Sequence, residues 1–247
     1  MAELSEATAQ AIAKEDSDAV RAKVRAAARA WLAQGLYTIP IPRGKKAPDN
    51  LADWPDERII LDQVDQRFDK SCNIGGLWGV TGLVDIDLDR GEAVKAAPFF
   101  FEDTLTYGHK NRRKSHLIVR CASVATHKYR PWLEVRSTGA QSVLPPSLHP
   151  GGDLYEFEEP RQPVREMTKD ELQKAASRTA SVAEAVQHWD KGDKTRHDKA
   201  LALSGALARS GWSDDDVLQF IRVTVHVAGD EEVDNREQAC LDTLQLS

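Results

Sequence analysis

The segment Leu83–Asp89 places aspartates at every second position, as Asp85, Asp87 and Asp89. In a strand these three side chains share one face, with successive ones roughly 6.5–7 Å apart, while the apolar residues between them point into a core. Like charges on one face repel each other, and aspartate is a poor strand former. The pattern therefore favours either a bound cation or a strand that ends in a polar loop. Mg²⁺ and Mn²⁺ prefer such carboxylate oxygens, often together with substrate phosphates and water.

A second polar group opens another apolar run, as Arg112, Arg113, Lys114, Ser115 and His116. A histidine that follows basic residues at the start of a strand could hold phosphate oxygens. A single histidine in a strand is also a common structural residue. Both interpretations stay open on this segment alone.

Two further segments carry polar side chains in a defined arrangement. Alternation in the strand-like run Trp132–Arg136 puts Glu134 and Arg136 on one face, where Glu134 is either a third carboxylate ligand or an ordinary surface residue. Downstream, a pair of prolines excludes a central strand and predicts a rigid turn. This turn either presents Ser147 and His149 at fixed positions or only connects two strands.

Hydrophobic periodicity predicts the elements that position these side chains. Apolar residues at helical spacing predict a helix over Ser17–Gln34, which Gly35 ends. The pattern changes from strands to helices near residues 160–165. Further helices are expected over Ile59–Phe68, Glu92–Phe101, Lys169–Ala176, Ser181–Trp189, Lys199–Arg209, Asp214–Val227 and Asn235–Leu244. Strands are expected over Leu36–Ile41, within Asn73–Asp89, and over Ser115–Cys121, Trp132–Val135, Gln141–Leu144 and Leu154–Phe157.

Charge is unevenly distributed along the chain. The 247 residues are 41% hydrophobic and 29% charged, with a net charge of −6, a mixture typical of globular proteins. From Asp214 to Ser247 nine acidic and two basic residues give −7, which leaves +1 for residues 1–213. The basic residues of that nearly neutral part cluster in a few short segments. Such clusters are either solvated loop charge or a phosphate-binding surface.

The sequence disfavours several protein classes. No run approaches the ~18 apolar residues of a membrane span, and the first residues lack the basic start and apolar stretch of a signal peptide. The three cysteines, Cys72, Cys121 and Cys240, are too widely spaced for a zinc clip and too few for a disulfide framework. We therefore expect a cytoplasmic protein without a membrane segment and without zinc.

Four motifs occur in order: the acidic run Leu83–Asp89, the Ser-His pair of a following strand, the acid within Trp132–Arg136, and the turn Pro145–Gly152. In this order they resemble the archaeo-eukaryotic primase superfamily, and most closely the N-terminal bifunctional DNA primase/polymerase (prim-pol) domain of phage and plasmid replication proteins. The segment Gly35–Trp54, GLYTIPIPRGKKAPDNLADW, is similar to that family's opening. The resemblance covers roughly Trp31–Phe157.

The resemblance implies an α+β fold class. A prim-pol catalytic domain, an RRM-like antiparallel sheet with flanking helices and strands, would span residues 1–162. A small all-helical accessory domain would follow over residues 163–247. The implied enzyme is a nucleotidyltransferase, a DNA primase and DNA-directed DNA polymerase that acts on a single-stranded DNA template with NTP or dNTP. It would use two Mg²⁺ or Mn²⁺ ions in phage or mobile-element replication, in the cytoplasm of a bacterium or phage-infected host cell. A helicase domain or protein would be a candidate partner.

The resemblance also implies a role for each polar motif. Asp85, Asp87, Asp89 and Glu134 would supply the metal ligands; the family spacing from Gly82 favours Asp87 and Asp89 and leaves Asp85 with Asp87 possible. The catalytic set would be Asp87, Asp89, Glu134 and His116. The nucleotide would be bound by Ser115, His116, Arg136, Gln141, Ser147, His149 and Lys46, and nucleic acid by Lys45, Arg112, Arg113 and Lys114.

Two other functions are compatible with these residues. A metal-dependent nuclease also needs clustered carboxylates, but it does not need a histidine and basic residues arranged for a triphosphate. A non-catalytic nucleic-acid-binding replication module would keep the basic clusters without the chemistry. The sequence contains no GxxxxGK[ST] loop, so it is not itself a P-loop helicase.

Overall fold

The computed structural model describes residues 6–14, 17–49, 54–189 and 193–246, and residues 50–53 of the predicted opening segment lie outside these ranges. Its helices are α1 (Glu6–Lys14), α2 (Ser17–Ala33), α3 (Val64–Arg67), α4 (Gly91–Ala96), α5 (Pro98–Phe101), α6 (Lys169–Gln187), α7 (Asp193–Arg209), α8 (Asp214–Ala228) and α9 (Val233–Leu244). Its strands are β1 (Tyr37–Pro42), β2 (Cys72–Leu77), β3 (Leu83–Leu88), β4 (Leu105–His109), β5 (Arg112–Arg120), β6 (His127–Tyr129), β7 (Leu133–Arg136), β8 (Gln141–Leu144), β9 (Tyr155–Phe157) and β10 (Arg165–Glu166).

The chain forms two compact units that interleave along the sequence. The first unit comprises Met1–Asp87, Asp103–Lys128 and Glu134–Leu172, and the second comprises Leu88–Glu102, Tyr129–Leu133 and Gln173–Ser247. The predicted domain boundary between residues 162 and 163 stays a prediction.

The first unit is built on two sheets of mainly antiparallel strands. One sheet has the order β1-β2-β8, and the other has the order β6-β7-β3-β5-β4-β9, with β10 in parallel beside β5. In the antiparallel pair β3–β5, Asp87 lies opposite His116 and Asp85 lies opposite Ile118. Because directly opposite residues share a sheet face, this register puts the acidic strand and the histidine strand of the sequence motifs side by side.

The core of the first unit holds that register in place. The buried face of α2, with Val24, Ala28 and Trp31, packs into one apolar cluster with residues of β1, β2, β8 and the β3–β5–β4 strands. Ile118 and Leu83 of that cluster are at most 1% exposed. On the opposite face of β3, Val84 and Ile86 alternate with the aspartates and are fully buried. A one-residue slip of β3 would exchange these apolar side chains for the aspartates, so their burial fixes the direction of both sets.

The second unit is helical. Its core contains Val182, Ala200, Phe220 and Cys240. Helix α8 begins at Ser213, whose Oγ accepts a hydrogen bond from the Asp216 N–H at 3.3 Å, and it ends at Gly229 in the left-handed conformation. Within the ranges given above, no helix is long and apolar enough to span a membrane.

The predicted α+β class, with antiparallel sheets and several helices, is confirmed. Details differ. The helix expected over Ile59–Phe68 is only a short turn followed by α3. The two helices expected over Lys169–Ala176 and Ser181–Trp189 form the single helix α6, because the residues between them include neither glycine nor proline. The Thr179 hydroxyl is satisfied within the helix, since it donates to the Ala175 carbonyl at 2.8 Å.

Candidate active site

The acidic end of the site, which we define as Asp85, Asp87 and Glu134, lies on β3 and β7. Asp85 is fully buried and Asp87 is 7% exposed. The guanidinium of Arg136 joins two of these carboxylates: Nη2 lies 2.5 Å from Asp87 Oδ2, and Nε donates to Glu134 Oε2 at 3.1 Å. Lys128 Nζ lies 3.1 Å from the other Glu134 oxygen, Oε1. Each of these ion pairs balances negative charge that burial would otherwise make costly.

His116 extends the acidic end from β5. Its Nδ1 lies 3.1 Å and 3.2 Å from the two carboxylate oxygens of Asp85, and its Nε2 lies 3.7 Å from Asp87 Oδ1. Since a carboxylate only accepts, Nδ1 carries a proton. Burial opposes the charged imidazolium, but the Asp85 and Asp87 carboxylates outweigh it, so the pKa of His116 is raised. His116 therefore favours the cationic form.

Ser142 of β8 connects the two sheets at this point. Its hydroxyl donates to Asp85 Oδ2 and accepts from Trp78 Nε1 at 2.9 Å and from Arg136 Nη1 at 3.1 Å. The Ser142 hydroxyl thus satisfies two donors, from Trp78 and Arg136, and one acceptor, the Asp85 carboxylate. Asp85 is consequently held by two neighbours, His116 and Ser142, rather than by solvent.

A row of aromatic rings leads away from the acidic end. Tyr107 stacks on His116 with ring centroids 4.5 Å apart, and His109 stacks on His149 with centroids 4.0 Å apart. Tyr155 contacts both pairs edge-on, 6.2 Å from His116 and 5.6 Å from His149. The rings are therefore continuous between the proline turn and the carboxylates.

A β-bulge between β4 and β5 makes the row possible. Tyr107 pairs with His116, but His109 pairs with Arg112, so β5 carries extra residues there. Lys114 in the bulge has a positive φ of 55°. At Gly108 any side chain would be excluded, because a Cβ would come within 2.3 Å of the Arg112 carbonyl oxygen.

The basic end of the site, which we define as Lys46, Arg112 and His149, has the opposite electrostatics. Burial, then His109 and Lys46, lower the pKa of His149 to about 4, with a further contribution from Arg112. His149 is therefore neutral near pH 7. Its Nδ1 accepts a hydrogen bond from the Gly151 N–H at 2.9 Å, which leaves the proton on Nε2. His149 can thus donate one N–H to an anion.

Asn73 holds the turn that carries Lys46 against the proline turn that carries His149. Its Nδ2 donates to the carbonyls of Lys45 at 2.9 Å and Leu148 at 2.8 Å, and its Oδ1 accepts from Arg43 and from the Leu148 N–H. Gln141 adds a second link, because its Nε2 donates to the Lys46 carbonyl at 2.6 Å. The two turns are therefore positioned by side-chain hydrogen bonds, of which those from Asn73 to Leu148 are buried.

The other predicted site residues are placed differently. Asp89 follows the end of β3 and is exposed. Ser115 precedes His116 in the strand, so alternation turns it to the opposite sheet face, where it is 1% exposed. The Ser147 hydroxyl accepts from the Ile74 N–H at 2.9 Å and fixes the proline turn to β2. Ser115 is therefore not on the face shared by Asp85 and His116, and a metal-ligating role for Asp89 stays a prediction.

The predicted nucleic-acid-binding residues lie at the surface around the β4–β5 turn and the basic turn. Lys45 pairs with Asp49 at 3.3 Å. Arg113 pairs with Glu158 at 2.8 Å, and it lies 3.5 Å from Glu156. Arg112 and Lys114 are exposed. The role of all four in nucleic-acid binding stays a prediction.

A family model described as bifunctional DNA primase/polymerase, N-terminal, matches residues 28–170, more than half of the chain. The chain belongs to this family. The predicted family is therefore confirmed, and the membership supports nucleotidyl transfer of the primase/polymerase type. The matched span contains both ends of the site. No curated protein matches the chain.

The carboxylates of this prim-pol domain fit a divalent cation that is bound together with substrate. Over the part of the chain that the structure describes, no three His, Cys, Asp or Glu side chains lie close enough to hold an ion by themselves. Yet Asp87 and Glu134 flank one cationic group, the Arg136 guanidinium, so two hard oxygen ligands converge on a positive charge. Mg²⁺ is commonly bound by one or two carboxylates plus substrate phosphates and water. The donor set matches that requirement.

Sequence reasoning missed several side chains of the prim-pol site: Tyr107, His109, Ser142, Tyr155 and Lys128. Tyr107 and His109 alternate along β4 as Asp85 and Asp87 do along β3, and this was the one local signal for them. Ser142 and Tyr155 come from distant segments, and only the tertiary fold brings them to the site.

Proposed function

We propose that this prim-pol domain carries out template-dependent nucleotidyl transfer on single-stranded DNA, as a primase and as a DNA polymerase, with two Mg²⁺ or Mn²⁺ ions. The observation that carries the proposal is the polarity of the site. Three carboxylates and a histidine with a raised pKa lie at one end of the aromatic row, and Lys46, Arg112 and a neutral histidine donor lie at the other. A metal–triphosphate complex has matching charges, since its metal ions suit the carboxylates and its phosphate oxygens suit the basic end.

The acidic end would hold the ions through Asp87 and Glu134, with Asp85 completing the negative charge. When bound, the ions would stabilise charge on the attacking 3′-oxygen and on the leaving pyrophosphate. Asp85 also orients His116 through a contact with Nδ1. The other ring nitrogen, Nε2, lies 3.7 Å from Asp87 and could donate to a phosphate oxygen if Asp87 ligated an ion instead. We favour Asp85 over Asp89 as the second aspartate of the acidic end, because Asp85 lies two residues from Asp87 within β3 and Asp89 lies beyond the end of that strand.

The basic end would hold phosphate oxygens. His149 donates through Nε2–H, and Lys46 adds positive charge next to it. The exposed Arg112 and Lys114 on the neighbouring turn would contact the backbone of the template, where phosphate contacts supply affinity without sequence preference. On the family resemblance alone, we further propose that the synthesis serves phage or plasmid replication, beside a helicase.

A synthesis assay on single-stranded DNA tests the proposal. Labelled primed and unprimed templates are incubated with Mg²⁺ or Mn²⁺ and with NTPs or dNTPs. We expect primer extension, and unprimed products with at least one nucleotide set, both lost in Asp87→Asn and kept in Asp62→Asn, an exposed carboxylate outside the site. Degradation of the template without nucleotides would instead indicate a nuclease. DNA binding without synthesis under any condition would indicate a non-catalytic module, and either outcome would overturn the proposal.

A further inference from the structure

Glu134 is the one carboxylate of the acidic end that is shared between a lysine and an arginine. Lys128 Nζ lies 3.1 Å from Oε1, and Arg136 Nε lies 3.1 Å from Oε2. Both oxygens of Glu134 are therefore occupied by cationic side chains. A divalent cation at Glu134 would lie next to at least one of these positive charges, and the repulsion between like charges favours displacement of that side chain.

The two cations differ in how easily they leave. Arg136 contacts Glu134, Asp87 and the Ser142 hydroxyl, and its side chain is 24% exposed. Lys128 has Glu134 as its ion-pair partner, and its side chain is 51% exposed. An exposed ion pair of this kind changes an equilibrium constant by no more than about fivefold. Lys128 is therefore the group that an incoming ion displaces.

The released Lys128 ammonium would not leave the site. It sits on β6 next to the strand that carries Glu134 and Arg136, and a lysine has a flexible stem with three rotatable donors. A triphosphate bound with the ion brings new anionic oxygens into that region. The ammonium can exchange a carboxylate oxygen for a phosphate oxygen with little movement of the backbone.

We propose that Lys128 is a nucleotide-binding residue that alternates between Glu134 and the triphosphate. It neutralises Glu134 while no ion is bound, and it holds a phosphate oxygen once Glu134 ligates the ion. This inference rests on the proposed function, since it assumes that ion and nucleotide share the acidic end.

Binding measurements on the whole chain, without synthesis, test the exchange. Free Mn²⁺ is followed by electron paramagnetic resonance, first with protein alone, and binding of a non-hydrolysable dNTP is then measured in Mn²⁺ by calorimetry. In Lys128→Gln we expect Mn²⁺ alone to bind about two- to fivefold tighter, because a competitor is gone. We expect the nucleotide to bind roughly tenfold weaker, because a charged phosphate contact is lost. Lys128→Arg should restore nucleotide affinity.

Lys174 provides a matched control in the second unit. Its Nζ lies 3.1 Å from Asp216, its side chain is 57% exposed, and it also shares its carboxylate with an arginine, Arg178. Lys174→Gln should change neither affinity. If Lys128→Gln behaves like Lys174→Gln, or weakens both affinities together, the exchange is wrong while the proposed function stands. If the unaltered chain binds the nucleotide equally well in Mn²⁺ and in chelator, the shared site is wrong and both proposals fall.

Discussion

His116 beside the acidic end and His149 of the basic end are each stacked on an aromatic ring, yet their electrostatic surroundings differ. His116 stacks on Tyr107, and the carboxylates beside it raise its pKa in spite of burial. His149 stacks on His109, and burial together with its neighbours lowers its pKa to about 4. The surroundings therefore stabilise the cationic form of His116, whereas His149 is neutral near pH 7.

The difference comes from the neighbouring charges, because both rings are stacked and shielded. Asp85 and Asp87 surround His116, whereas Lys46 and Arg112 lie near His149. The fold thus makes one end suitable for cations and the other for anions within a single row of rings. The following predictions test that polarity, from the largest expected effect to the smallest.

The largest effect is expected at the acidic end. Asp87→Asn removes a charge that would ligate an ion and that now pairs with Arg136. Loss of residues that only support a ligand typically costs ~10–100-fold, and loss of a ligand should cost more. We expect primer extension to fall by more than about 100-fold. The melting temperature of Asp87→Asn must be unchanged, so that the loss is not caused by unfolding. Near-normal extension by this variant would show that the acidic end does not take part in the reaction.

A smaller effect is expected at the two aspartates on either side of Asp87, and it should differ between them. Asp85 is buried and bonded to His116 and Ser142, whereas Asp89 is exposed after the strand end. We expect Asp85→Asn to lower the extension rate by about 10–100-fold, and Asp89→Asn to lower it by less than about threefold, within the range of a surface change. If Asp89→Asn lowered the rate more than Asp85→Asn, the metal ligands would instead be Asp87 and Asp89, as the family spacing implies.

At the basic end the expected effect is on nucleotide affinity. His149→Asn keeps an acceptor for the Gly151 N–H but loses the Nε2–H donor. We expect binding of a dNTP to weaken by about tenfold, the lower range for a hydrogen bond to a charged group. His188→Asn, at an exposed histidine of the second unit, is the control. Equal affinity in both variants would mean that His149 does not contact the nucleotide.

The smallest effect is on stability against pH. Unfolded His149 takes up a proton near pH 6.5, while the folded side chain does so only near pH 4, so His149 makes the free energy of unfolding decrease as pH falls through that window. His116 acts oppositely: its contribution is complete below about pH 6.5 and is lost as pH rises through its raised pKa.

Urea unfolding between pH 4 and 8 measures both contributions. His149→Asn should lose less stability towards acid than the unaltered chain, and His116→Asn should lose less towards alkali. Each slope changes by less than about 1.4 kcal/mol per pH unit, the limit for one proton. A steeper loss towards acid in His149→Asn would contradict the assigned environment.

Local pattern was sufficient for much of the fold and for part of the site. Alternation predicted that Asp85 and Asp87 share a face, and Glu134 with Arg136 followed from the same rule, as the structure shows. Asp89 lies just outside the strand, because β3 ends at Leu88 and α4 begins three residues later, and its side chain is exposed where Asp85 and Asp87 are buried. Alternation also separates Ser115 from His116, although the family resemblance grouped them.

The remaining site residues depend on tertiary structure. His109 reaches His149 only because a β-bulge shifts the register of β4 against β5. Ser142 reaches Asp85 only because β8 of one sheet lies near β3 of the other. Neither bulge position nor sheet-to-sheet contact leaves a periodic signal in the sequence.

Calorimetric titration of the chain with a dNTP, in Mg²⁺ or Mn²⁺ and in chelator, tests the polarity of the site most directly. If the acidic end holds the ion and the basic end holds the phosphates, the ion should tighten nucleotide binding, and Asp87→Asn should abolish that gain while binding in chelator stays similar. Equal affinity with and without the ion in the unaltered chain would contradict the account.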